Sequence, residues 1–104
     1  MHAASTQYDS ALSLFQQDKR KEAEARLGVL ALEPPEGYPL LARFRLAASQ
    51  GAQDPEAGAK AYEELAKVAG IDPVWRDLAI LRASALKLDG KEAEAAAASL
   101  ETLA

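Results

Sequence analysis

Apolar residues along the chain recur at helical spacing and are cut into blocks by Pro, Gly and Asp. Ser5 to Gln17 carries Tyr8, Leu12 and Phe15 one turn apart. Asp18 reads as the N-cap of a second helix to Leu32, with Ala23, Leu27 and Leu30 on one face. Pro34, Pro35, Gly37 and Pro39 then interrupt helix, because proline lacks the N–H and restricts the residue before it. A third helix is expected from Pro39 or Leu40 to Gln50, with Gly51 in the left-handed position after it. Asp54-Pro55-Glu56 is a start signal of N-cap, first-turn proline and first-turn acid. That fourth helix should reach Val68 or Ala69 and stop at Gly70. Asp72-Pro73 repeats the signal for a fifth helix to Leu88. Asp89-Gly90 reads as a turn, and a sixth helix fills Lys91 to Leu103.

The blocks repeat. Lys21-Glu22-Ala23-Glu24-Ala25 recurs as Lys91-Glu92-Ala93-Glu94-Ala95, 70 positions later, and Gly58 lies midway between Ala23 and Ala93. Leu30, Leu65 and Leu100 share the 35-residue step, as do Leu27, Tyr62 and Ala97. A small residue followed by apolar ones at +4 and +7 lets a partner helix approach closely and fills the groove beside it. The odd helices align less evenly. Leu41-Ala42-Arg43-Phe44-Arg45 matches Leu78-Ala79-Ile80-Leu81-Arg82 at an offset of 37, which places two extra residues in the turn at Ala52 to Pro55.

Composition supports this pattern. Ala (24) and Leu (15) far outnumber Val, Ile and Thr together (seven), so the residues that strands favour are scarce and helix formers dominate. The expected fold is all-α: three degenerate helix-turn-helix hairpins, at about 4–37, 38–71 and 72–104, stacked as a right-handed solenoid in a single domain. A net charge of −4 argues against a nucleic-acid partner, since the lone basic run Lys19-Arg20-Lys21 is followed at once by Glu22 and Glu24. No apolar run approaches a membrane span of roughly 20 residues. His2 is given no role.

Enzyme chemistry finds no constellation. One His and no Cys exclude the usual nucleophile–base pairs, and the six Gly sit singly rather than in a phosphate loop. The pairs Glu22/Glu24 and Glu63/Glu64 read as solvated helix faces. No catalytic, cofactor or metal site is expected. Binding is the expected activity. The first helix of each hairpin lines the inner surface of such a stack. It offers Tyr8, Leu12 and Phe15, then Arg43 and Ala47, then Trp75, Leu78 and Arg82. Aromatic and Arg residues are what interface hot spots use. Against this, Leu12, Phe44, Leu78 and Leu81 suit a core, and Arg43, Arg45 and Arg82 suit pairing with nearby carboxylates. Leu100 and Leu103, on the last helix, are candidates for weak self-association, because a terminal repeat needs a polar outer face.

The roughly 34-residue period is that of tetratricopeptide (TPR) repeats, and Ala23, Leu27 and Pro35 fall at that family's Ala, aromatic and Pro spacing. Gly37-Tyr38-Pro39-Leu40-Leu41-Ala42-Arg43-Phe44-Arg45-Leu46-Ala47 and Asp72-Pro73-Val74-Trp75-Arg76-Asp77-Leu78-Ala79-Ile80-Leu81-Arg82-Ala83 narrow the likeness. Residues 8 to 104 resemble the TPR domain of the YfgM-like family, the ancillary SecYEG translocon subunit, in its alphaproteobacterial form. The resemblance implies a periplasmic TPR domain on a single-span anchor lying outside this chain. Its implied setting is the periplasmic face of the inner membrane, and its implied partners are Sec translocon components and periplasmic chaperones. It also implies that 104 residues are a segment of a longer protein. The alternatives are a soluble cytosolic TPR adaptor or scaffold and a structural oligomerisation module. A clamp for acidic chaperone tails is not expected, since Tyr8, Leu12, Leu40 and Trp75 stand near the positions where its cations would be.

Overall fold

Two proline-led starts, at Pro55 and Pro73, open helices as their sequences dictate. In a computed structural model, which describes residues 3–103 and the side chains of residues 5–91, Asp54 and Asp72 stand before them. An Asp54 carboxylate oxygen accepts the Glu56 N–H at 3.1 Å, and one of Asp72 accepts the Val74 N–H at 2.9 Å. Each aspartate thereby satisfies an amide that the first helical turn leaves unpaired. The described chain is all-helical: α1 (Ala3–Gln16), α2 (Arg20–Leu30), α3 (Tyr38–Gln53), α4 (Pro55–Ala66) and α5 (Pro73–Leu103). It divides into two compact units, Met1–Ser49 and Gln50–Ala104, and the division falls within α3.

In the first unit α1 packs on α2. Ala11, Leu27, Leu30 and Ala42 form a buried cluster, with Tyr8, Phe15, Ala31 and Leu46 packed against it. Ala23, the small residue of the repeat, is also wholly buried. In the second unit α4 packs on α5. The equivalents one step later, Gly58, Tyr62 and Leu65, are buried on α4, and among the described residues of α5 Ala79 and Ala83 are buried.

Four expectations need correction. Asp18 does not cap α2. It adopts φ 65° and ends α1 instead. Its N–H bonds the Phe15 carbonyl at 3.1 Å and the Lys19 N–H bonds the Leu14 carbonyl at 2.9 Å, the paired bonds of a left-handed C-terminal cap. Aspartate is among the few side chains that tolerate this conformation. The N-cap of α2 is Lys19, with no side-chain bond. Gly51 does not end α3, which runs on to Gln53, so the two extra residues lengthen the helix and only Asp54 separates α3 from α4. Leu81 is exposed rather than core.

The largest correction is at Asp89-Gly90. No turn forms there, and α5 passes through as one helix of 31 residues. The described chain therefore has five helices, not six. A glycine inside a helix costs only about 1 kcal/mol, and strong helix formers flank this one on both sides. Packing does not require the glycine: a Cβ on Gly90 would lie 3.7 Å from the Pro55 side chain, an ordinary contact where α5 passes the start of α4.

Gly51 and Gly58 mark a closer crossing. A Cβ on Gly58 would stand 2.7 Å from the Gly51 backbone nitrogen and closer still to its Cα. The Cδ1 of Leu86 would be 2.9 Å from a Cβ on either glycine.

Two substitutions with opposite signs test this geometry. Gly90→Ala should raise stability by about 0.5–1 kcal/mol, because 3.7 Å is ordinary contact and alanine is the better helix former. A higher melting temperature by circular dichroism fits the continuous helix, whereas a turn at Asp89-Gly90 would make the same change destabilising. Gly58→Ala should lower stability by about 1–3 kcal/mol in urea titration, despite alanine's helix propensity, because its Cβ meets backbone that cannot move aside cheaply.

Candidate functional site

The surface features fall within the two units, and each is described in its own. In the first, Tyr8 on α1 lies beside the opening of α3. Its ring sits 5.5 Å from that of Tyr38, tilted by 50°, an arrangement aromatic pairs favour. The Tyr8 hydroxyl oxygen accepts a 3.2 Å bond from Arg45 Nε. Tyr8 is half-buried against the core cluster, while Tyr38 and Arg45 are exposed. The three make one aromatic and cationic patch, anchored below and open above.

The remaining candidates of this unit sort differently. Phe15 is half-buried and packs on the core cluster, and Leu12 is half-buried. Ala47 is buried, at 1% exposure, and offers no surface. Arg43 points at backbone: its Nε donates to the Ala31 carbonyl at 3.1 Å and its Nη2 to the Glu33 carbonyl at 3.3 Å. Both oxygens lie just past the last turn of α2, where a helix leaves carbonyls unpaired and its dipole favours a cation. Arg43 is thus a cap on α2, and the expected carboxylate partner is replaced by carbonyls.

In the second unit Trp75 and Leu78 are half-buried on α5, and Arg82 is exposed beside Tyr62 of α4. Arg82 Nη1 donates to the Tyr62 hydroxyl at 3.4 Å, with its guanidinium carbon 6.0 Å from the ring centroid. This too is a tyrosine contact rather than a carboxylate pair. Along the same two helices runs an open groove of about 410 Å³. Ala66, Ile80 and Ala83 line its apolar part, and Glu63, Lys67, Ser84 and Lys87 its polar part. Lys87 Nζ holds Glu63 Oε2 at 3.0 Å, so one of the two lysines is already neutralised. Leu100 and Leu103 lie outside the residues whose side chains are described.

Tyr38 and the groove were not among the expected residues. Tyr38 follows a proline-rich stretch, and only the path of residues 31–37 carries it back to Tyr8. The groove residues repeat at 63, 67 and 80, 84, 87, a helical spacing shared by any solvated face, so no local signal marks them. Among the described residues, no group of three or more His, Cys, Asp or Glu is placed to hold a metal ion, and no helix is long and apolar enough to cross a membrane. No protein family, curated protein or solved structure matches the chain.

Arg43 carries a prediction. Arg43→Met keeps the aliphatic stem and removes both carbonyl bonds, so it should cost about 1–2 kcal/mol in urea unfolding. Arg43→Lys should recover less than half of that, because a single ammonium does not reproduce the fork.

Proposed function

We propose that this chain is a non-catalytic protein-interaction module of TPR type. On this reading it belongs to a membrane-anchored protein whose TPR domain works at the periplasmic face of the inner membrane, beside the Sec translocon and its chaperones. The observation that carries protein binding is the Tyr8–Tyr38–Arg45 patch: a tilted ring pair with an arginine bonded to one hydroxyl, held by the core and open to solvent. Tyrosine and arginine supply much of the binding energy at interfaces, tyrosine because it buries large area with little entropy lost and arginine because it offers several donors in one plane. Preordering by the Arg45–Tyr8 bond lowers that cost further.

Support for the repeat reading comes from the small and apolar positions of α2 and α4. Ala23, Leu27 and Leu30 are buried, and so are Gly58, Tyr62 and Leu65 at the 35-residue step. The α1–α2 pair is the first hairpin of this reading, and α5 is continuous where the third was expected. The setting beside the translocon rests on the resemblance of the Gly37–Ala47 and Asp72–Ala83 stretches.

Photo-crosslinking in the native host, from a probe amino acid placed at Tyr38 of the full-length protein, tests the proposal. Translocon subunits or periplasmic chaperones should be captured, and a Tyr8→Ala/Arg45→Ala background should reduce capture at least fivefold with the helical circular dichroism signal intact. Capture only of cytosolic proteins, or capture unaffected by those changes, would sink it.

A further inference from the structure

The outer face of α5 carries a second apolar stripe. Val74, Leu81 and Leu88 are 74%, 67% and 57% exposed and fall seven residues apart. Leu78, half-buried, and Ala85, exposed, lie between them. The spacing Val74-Leu78-Leu81-Ala85-Leu88 is four, three, four, three, the interval at which one helix seats another in a coiled coil. The face is distinct from the one that meets α4. Leu81 follows buried Ala79 by two residues, which is roughly 200° around a helix of 3.6 residues per turn. Arg82 and Leu86 turn toward Tyr62 and the Gly51–Gly58 crossing, while Val74, Leu81 and Leu88 turn away.

We propose that this stripe is the seam for a second copy of the chain, with the two α5 helices parallel and in register from Val74 to Leu88. The charges beside the seam select that occupant and that direction. With Val74, Leu81 and Leu88 at the d positions and Leu78 and Ala85 at a, Asp77 takes a g position and Arg82 and Asp89 take e positions. In a parallel pair each g residue lies beside the e residue five further along the other helix. Asp77 of each copy then faces Arg82 of the other, twice by symmetry, and Ser84 faces Asp89, so no like charges meet. Arg82 is able to serve both contacts, since the Tyr62 bond uses one of its five N–H donors. An antiparallel pair fits less well: centring Leu81 against Ala85 leaves Val74 opposite Glu92, and centring it against Leu78 leaves Leu88 opposite Ile71, before α5 begins. In register, every apolar residue of the seam meets its own equivalent, as a two-fold axis requires. Two heptads make a short seam, so the dimer forms at high rather than trace concentration.

The purified chain tests this directly, independently of any translocon partner. It contains no cysteine, so single-cysteine variants report cleanly. Val74→Cys places a thiol at a d position, next to its own equivalent only in the parallel register. Under mild oxidation at high protein concentration it should form a disulfide-linked dimer at least tenfold faster than Lys60→Cys, an exposed control on α4. Sedimentation equilibrium should show the mass rising from 11.1 kDa toward twice that value with concentration. Leu81→Glu should hold it at the monomer with unchanged helicity. Asp77→Arg should weaken association at least threefold at low salt. A monomer at every concentration, or a Val74→Cys crosslinking rate no greater than the control's, would overturn the proposal.

Discussion

Backbone approaches backbone at Gly51 and Gly58, and the second unit is arranged around that crossing. Gly58 has no room for a methyl group, and one on Gly51 would displace the end of the Leu86 side chain: α4 lies against the end of α3 because Gly58 carries no side chain there. Leu86 of α5 covers the pair, its Cδ1 within 2.9 Å of where either Cβ would be, so three helical segments meet at one point. From there α5 follows α4 on small residues, with Ala79 and Ala83 buried beside it and Gly90 passing Pro55. The first unit uses the same means more mildly, with Ala11, Ala23 and Ala42 wholly buried beside Leu27 and Leu30. The alanine excess therefore does two jobs. It favours helix, and it sets the distance at which helices pack.

How far the sequence reveals this depends on how local each signal is. The caps at Asp54 and Asp72 are legible because the aspartate, the proline and the amide it satisfies lie within three residues. The buried stripes of α2 and α4 are legible because the 35-residue step shows them twice. Glycine is where local reading fails. After a run of helix formers, Gly51 looks like a left-handed cap and Gly90 like a turn, yet both are helical: Gly51 sits at the close crossing with Gly58, and Gly90 is carried by the helix formers around it. Asp18 fails the other way, ending the helix before it rather than starting the one after it. Of the candidate patch, Tyr8 was legible as an aromatic on the first helix, among the inner-surface candidates. Its companion Tyr38 depends on the course of a proline-rich connection that no spacing rule specifies.

The arginines show how the chain uses its charge. Arg43 serves two carbonyls, while Arg45 and Arg82 serve tyrosine hydroxyls, although the chain holds sixteen carboxylates against twelve cations. A guanidinium carries five donors in a planar fork, so it can hold neutral acceptors while other donors stay in water. A carbonyl beyond the last turn of α2 has no other partner from its own helix, so a bond there relieves a cost that a solvated carboxylate does not carry. The ion pairs seen among the described residues, Arg20–Glu24 and Lys87–Glu63, lie at the surface, with only their glutamates half-buried, and surface pairs contribute about 0–1 kcal/mol. Acidity is mainly a property of the solvent-facing surface.

Helix α5 presents two apolar faces of different character. A helix with one apolar face belongs on the outside of a core, and one that is apolar all round belongs inside it. With small residues against α4 and a Val/Leu line on the opposite side, α5 fits neither description. Helix propensity does not explain the outer line: Ala, Lys or Glu at 74, 81 and 88 would sustain the helix equally well or better, and without exposing branched side chains to water. Nor does the inner packing need it, since Ala79, Ala83 and Leu86 supply that contact on their own. The absence of a break at Asp89-Gly90 bears on the same question. A turn there would end the helix just past Leu88, at the edge of the seam, whereas the continuous backbone carries it on to Leu103. A long helix with two opposed faces has the geometry of an element that lies between partners. One of them is α4, and the line of Val74, Leu81 and Leu88 has the spacing that a helix recognises on another helix.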